Sequence, residues 1–181
     1  ALAFAIDEAR IRVESTNTAR IANMSPTAAS CGADLNGQAT LLACRQILQQ
    51  LKTVAAGLLG GNIEPEKVCI RQEQVCLNGQ PAGISWNKLV SEAYLSRSVL
   101  SAHAHYATPH VFFDRNEEQG RPFAYHVYGC AAVEVKLDCL RGTYRFTSVS
   151  IVHDSGRSLE PAIDRGQVEG AVVQGLGWMT L

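Results

Sequence analysis

The chain has almost no excess charge of either sign: 16 lysines and arginines stand against 17 aspartates and glutamates, a formal net charge of −1. That balance argues against binding through a broad basic patch, whether to nucleic acid or to an anionic membrane surface. No apolar run approaches the roughly 20 residues that cross a bilayer. The first residues also lack the basic-then-apolar order of a secretory signal, so a soluble, cytoplasmic protein is the expectation. Paired cysteines are missing too. Cys31, Cys44, Cys69, Cys76, Cys130 and Cys139 contain no C-x-x-C or other metal-ligand spacing, and they read as buried thiols. His103 and His105, in "SAHAHYATP", would share one face of a strand. With no third ligand at a matching spacing, they form either a metal site or, more plainly, two polar side chains on the wetter face.

What is present is enough apolar material, 46% of 181 residues, for one domain with a proper core or for two small lobes. "ALAFAIDEARIRVEST" reads as the last turns of a helix and then a short strand over residues 10–14, where Ile11 and Val13 alternate with charged residues. Its first residue would lie inside an element, so the expectation is that the natural beginning is missing. From Asp34, Leu41, Cys44, Leu48, Leu51, Ala55 and Leu58 recur at steps of three and four up to Gly60 and Gly61, predicting one long amphipathic helix. "KVCIRQEQVCLNGQPAG" gives two short strands with Asn78-Gly79 as a turn after the second. Ser85 then caps a helix over "WNKLVSEAYLSR".

Strand signals dominate residues 98–154: "SVLSAHAHYAT", "AYHVYGCAAVEVKLD" and "TYRFTSVSIVHD", the last two joined by "CLRG" into an antiparallel pair. "RNEEQGRP" reads as a solvated loop. Pro161 opens a final helix, "PAIDRGQVEGAVVQGLGWMT". The fold class expected is α+β: a mostly antiparallel sheet with the long first helix and the short middle helix packed on it.

Two stretches break local rules, and such breaks concentrate at functional sites. The last helix carries Gly166, Gly170, Gly175 and Gly177, although each interior glycine costs about 1 kcal/mol relative to alanine. Close approach to that backbone is the expectation. Glu169 shares a face with Gly166, Val172 and Val173, and a carboxylate desolvated there would have its pKa raised toward the range of a general base. The alternative is an exposed glutamate on a C-terminal helix. In the second stretch, "NMSPTAASCGADLNG", small residues precede the long helix, whose free N–H groups would form an anion pocket for a phosphate-bearing cofactor. Tight steric packing explains the same residues equally well.

Together "TNTARIANMSPTAASCGADLNGQA" and "DSGRSLEPAIDRGQVEGAVVQGLGWMT" resemble the molybdenum-binding subunit of bacterial xanthine dehydrogenases, in the molybdenum hydroxylase family that also holds aldehyde oxidases. "HYATP" and "GRPFAYHVYGCAAVEVKLDCLRGTYR" agree with it, so the resemblance runs over essentially the whole chain. It implies that residues 1–181 are the C-terminal portion of the molybdopterin-binding domain of a larger subunit. The cofactor implied is molybdopterin, its metal held by the pterin dithiolene without a protein ligand. By the same resemblance Glu169, in G-Q-V-E-G-A, is the base that takes a proton as oxygen attacks an electron-poor ring carbon of a purine. Thr27, Ala28, Ala29 and Ser30, in P-T-A-A-S, would line the pterin and its phosphate, with Ala29 near the metal. Met24 stands where relatives usually carry a small polar residue, and Cys31 where serine, threonine or alanine is expected. The implied partners are the preceding part of the molybdenum subunit and the 2Fe-2S and FAD portions, without which the chain should be inactive and nearly molybdenum-free. An aldehyde or another N-heterocycle as substrate, and a non-catalytic scaffold, are the alternatives.

Overall fold

The computed structural model describes residues 1–15, 17, 19, 27–28 and 31–180. The described chain forms two compact units, residues 1–108 and 109–181.

The first unit is built on helix α1, Gly32–Leu58, the long helix expected from the apolar stripe. It ends where the chain needs positive φ. Gly60 (φ 132°) and Gly61 (φ 76°) follow Leu59, with the Gly61 N–H on the Ala56 carbonyl and the Gly60 N–H on the Gly57 carbonyl. This Schellman closure satisfies two of the helix's terminal carbonyls. Three antiparallel strands follow in the order β1 (Val68–Arg71), β2 (Gln74–Leu77) and β3 (Gln80–Ser85). Asn78-Gly79 turns β2 into β3, both residues at positive φ as a tight hairpin requires. Gln72 and Glu73 do the same between β1 and β2 without any glycine. That costly turn is held from outside: Arg10 grips the Glu73 carboxylate through Nε at 2.6 Å and Nη2 at 3.0 Å, and the Glu73 backbone bonds Ala5 and Trp86.

Ser85 accepts a hydrogen bond from the Lys88 N–H and starts helix α2, Trp86–Leu95. Leu51, Ala55 and Ala56 of α1, Val68, Ile70, Val75 and Ile84 of the sheet, and Leu89 and Ala93 of α2 close into one buried cluster. The two helices therefore pack on the sheet as expected, an α+β arrangement.

Before this core the expected helix and strand are replaced by 3-10 turns, Leu2–Phe4 and Glu8–Arg10, the second capped by Asp7. Residues 11–15 are irregular, with Val13 89% exposed: alternation makes a strand only where a neighbour completes the ladder. Residues 98–107 form no strand either, yet exposure still alternates, and His103 and His105 both lie on the exposed face.

In the second unit β4 (Phe112–Asp114) pairs with β5 (Gln119–Arg121), so the loop expected over residues 115–122 is the tip and second arm of a hairpin. Asp114 Oδ1 accepts from the Asn116 and Glu117 N–H groups and forms the turn. β6 (Gly129–Asp138) pairs antiparallel with β7 (Thr143–His153), as anticipated. Asp138 closes their turn by accepting from Leu140, Arg141 and the Arg141 guanidinium. Thr147 is the extra residue of a bulge opposite Glu134, whose carbonyl accepts from its hydroxyl. Helix α3 spans Pro161–Thr180, and no described residue of this unit is buried.

Candidate functional site

In the first unit the expected cofactor residues precede α1. Thr27 and Ala28 are exposed, and the Ala28 carbonyl accepts from the Cys31 N–H at 3.3 Å. Ala29 and Ser30 lie outside the described residues, as does Met24. The cap position of α1 is Cys31, whose own side chain makes no capping hydrogen bond. Thr27 Cγ2 lies 3.3 Å from where a Cβ on Gly32 would stand, so the helix start is already crowded on that side by a small residue. Its backbone N–H groups belong to a helix of 27 residues, an end that carries partial positive charge. Asp34, the acidic residue of the first turn, works against an anion at the same end. Among the described residues, an anion here would rest on backbone donors.

In the second unit Glu169 stands on the middle of α3. Its side chain is 60% exposed, and Arg165, one turn earlier, donates from Nε to its Oε1 at 2.6 Å. Of the two readings the sequence leaves open, a desolvated carboxylate and an exposed glutamate, the structure has the exposed one, ion-paired to Arg165. The reason is local: Val173 is 68% exposed and Val172 only half-buried, so the apolar neighbours of Glu169 are themselves open to solvent. Pairing with Glu169 raises the pKa of Arg165 above its ordinary value. Arg165 is absent from the residues expected to matter, though the four-residue spacing from Glu169 is the signal that finds it.

Gly166, Gly170, Val173 and Gly177 recur at steps of four, three and four, one stripe beside Glu169 on the helix. A Cβ added at Gly166 or Gly170 would meet nothing within 4 Å. The close approach inferred from Gly166 and Gly170 is therefore not made by any described part of this chain.

The cysteines are more open than expected. All six are free thiols, with only Cys76 buried, Cys31, Cys44 and Cys69 half-buried, and Cys130 and Cys139 exposed. Among the described residues, no group of three or more His, Cys, Asp or Glu side chains is placed to hold a metal ion. No described helix is long and apolar enough to cross a membrane.

Comparison with known proteins connects the two stretches. The model of the family described as "Molybdopterin cofactor-binding domain" matches residues 1–181. Xanthine dehydrogenase/oxidase of Mus musculus is 42% identical over 179 residues, 99% of this chain and 12% of that protein. Xanthine dehydrogenase of Oryza sativa subsp. japonica is 40% identical over 181 residues, covering all of this chain and 12% of that protein. Aldehyde oxidase 2 of Cavia porcellus is 37% identical over 171 residues, 94% of this chain and 11% of that protein. A family match along the whole length, over both the small-residue stretch and the glutamate helix, makes this chain a member of the molybdopterin cofactor-binding domain family of molybdenum hydroxylases.

Proposed function

We propose that residues 1–181 are the C-terminal portion of the molybdopterin-binding domain of a larger molybdenum subunit, and that the complete enzyme hydroxylates a purine ring carbon with water as oxygen source. The observation that carries this reading is 40–42% identity, over essentially the whole chain, to proteins named xanthine dehydrogenase. The chain spans about an eighth of the length of those relatives, 12% in each case. The other parts of the molybdenum subunit, and the 2Fe-2S and FAD portions, are the partners the reading requires; a cytoplasmic location goes with it.

The residues present fit the cofactor. Thr27, Ala28, Ala29 and Ser30 are small residues, and backbone N–H groups at the start of α1, where the Cys31 side chain makes no capping bond, suit a phosphate. These residues would line the pterin and its phosphate, with Ala29 toward the metal. Bound there, the molybdenum cofactor supplies the redox centre and the activated oxygen.

Glu169 would serve as the base, accepting a proton at a carboxylate oxygen. Arg165 occupies one of those oxygens, Oε1. Exposed pairs of this kind are weak, so the guanidinium leaves easily. The glycine stripe allows a partner to come against α3 within backbone distance, and covering that face would remove water from Glu169. Unlike the folded first unit, this arrangement is incomplete by itself. The chain alone is accordingly inactive and holds little molybdenum; near-stoichiometric metal in the purified chain contradicts that.

A second reading keeps the chemistry and changes the substrate to an aldehyde or another N-heterocycle, supported by 37% identity to aldehyde oxidase 2. Turnover of xanthine and of an aromatic aldehyde by the complete enzyme separates the two. Preference for xanthine is expected. Preference for the aldehyde overturns the purine assignment, and failure of the assembled protein to take up pterin would make it a scaffold.

A further inference from the structure

The β1–β2 ladder places Cys69 opposite Cys76. Directly opposed residues of an antiparallel pair have Cα atoms about 4.5–5.5 Å apart, within the roughly 4.4–6.8 Å that a disulfide bridges. Cys130, the other cysteine in a ladder, faces Val152 and has no such partner. Cys69 and Cys76 also differ in access. Cys76 is 3% exposed and its thiol leans on the Gln74 carbonyl at 3.8 Å, whereas Cys69 is half-buried. We propose that Cys69 and Cys76 are a dithiol site that closes to an intramolecular disulfide on exposure to hydrogen peroxide, a modification separate from the molybdenum chemistry.

The division of labour follows from exposure. Burial pushes the Cys76 thiol above its ordinary range, and the adjacent Cys69 adds to this by charge and by hydrogen bonding. Cys76 is therefore held as the neutral thiol, and the first encounter with oxidant falls to Cys69. The Cys69 thiolate attacks one peroxide oxygen, forming S–O as O–O breaks and hydroxide leaves. Cys76 then gives up its proton to the departing hydroxide as its sulfur attacks the Cys69 sulfur, forming S–S as S–O breaks. The two thiol protons convert both hydroxides to water. The thiols lose two electrons and peroxide gains them. The bridge spans the hairpin whose turn, Gln72-Glu73, has both residues at positive φ. It ties together the two strands that carry Val68, Ile70 and Val75 into the core.

Non-reducing peptide mapping tests this. The purified full chain is treated with a modest excess of hydrogen peroxide, alkylated and cut with trypsin, which cleaves after Lys67, Arg71 and Lys88 and so releases the two cysteines on separate peptides. The expected result is one linked species about 2 Da lighter than the sum of its two thiol peptides, abolished by dithiothreitol. Both peptides should lose alkylation together. Because Cys76 is buried, Cys69→Ser is the variant of choice; it should keep the circular dichroism of the parent and yield no linked species. Recovery of Cys69 as sulfinic acid with Cys76 still alkylated overturns the proposal, as does full alkylation of both after peroxide.

Discussion

Residues 1–108 and residues 109–181 start from similar local material, helices and antiparallel hairpins, and end in opposite states. The first unit lays two helices on a three-stranded sheet and buries Leu51, Val68, Val75 and Leu89 almost completely. The second offers a two-stranded ribbon, a small hairpin and one helix, and buries no described residue, leaving Val133, Val135, Leu137, Val152, Val173 and Trp178 exposed. A ribbon of two strands has too little surface to close a core by itself. Apolar faces left open on that scale mark a place where something else docks. The stability of the described chain thus resides in one unit, while the glutamate proposed for the chemistry sits in the other.

The largest expected effect separates the units by stability. Leu51→Ala should cost about 2–5 kcal/mol in urea unfolding followed at Trp86. Leu137→Ala, at a site 63% exposed, should change stability by less than about 0.5 kcal/mol in the isolated chain. Equal costs would erase the distinction between the units. Next comes the glycine stripe. Gly170→Ala meets nothing within 4 Å, so it should stabilise α3 by up to about 1 kcal/mol in the chain alone, read as increased helicity. In the complete enzyme the same variant should lower molybdenum retention; unchanged retention would show that the stripe is not approached.

The smallest effect lies on the acid side of the first unit. The Arg10 guanidinium beside Glu73, with the Asp7 N–H, holds the Glu73 carboxyl below its ordinary value of 4.5. A lowered folded-state pKa means that this contribution is present above the ordinary value and is lost as pH falls through the folded one. Unfolding measured between neutral pH and pH about 3 should show that loss in the parent. It should be smaller in Arg10→Ala, where only the Asp7 N–H still favours the ionised Glu73.

Sequence legibility divides along the same line. In the first unit α1, its glycine stop, the Asn78-Gly79 turn and the Ser85 cap are readable because each depends on residues adjacent in the chain. Gln72-Glu73 is not, since its strained turn is held by Arg10 and Ala5, more than sixty residues away. The third strand and its Gly83 bulge are likewise hidden: Ala82 and Gly83 intervene between the residues paired with Cys76 and Val75. In the second unit β6, β7 and α3 are legible, but their exposure is not, because alternation gives a face and does not say whether anything covers it. That is why the sequence leaves Glu169 open between a dry and an exposed setting, and the structure has it at the surface with Arg165. The cysteines fail for the same reason: hydrophobic character alone does not bury Cys130 on an uncovered ribbon. Thr27 and Ala28 stand where expected before α1, and the expectations for Ala29 and Ser30 fall outside the described residues.

The most direct measurement is xanthine-dependent dye reduction by the complete, cofactor-loaded enzyme, comparing wild type with Glu169→Gln at matched molybdenum content. If Glu169 is the base, the rate falls by roughly two to four orders of magnitude, the range supplied by a positioned general base, with the melting temperature unchanged because the carboxylate supports no core. A rate that survives the substitution with molybdenum retained would contradict that role, and Glu169 would be only the surface partner of Arg165.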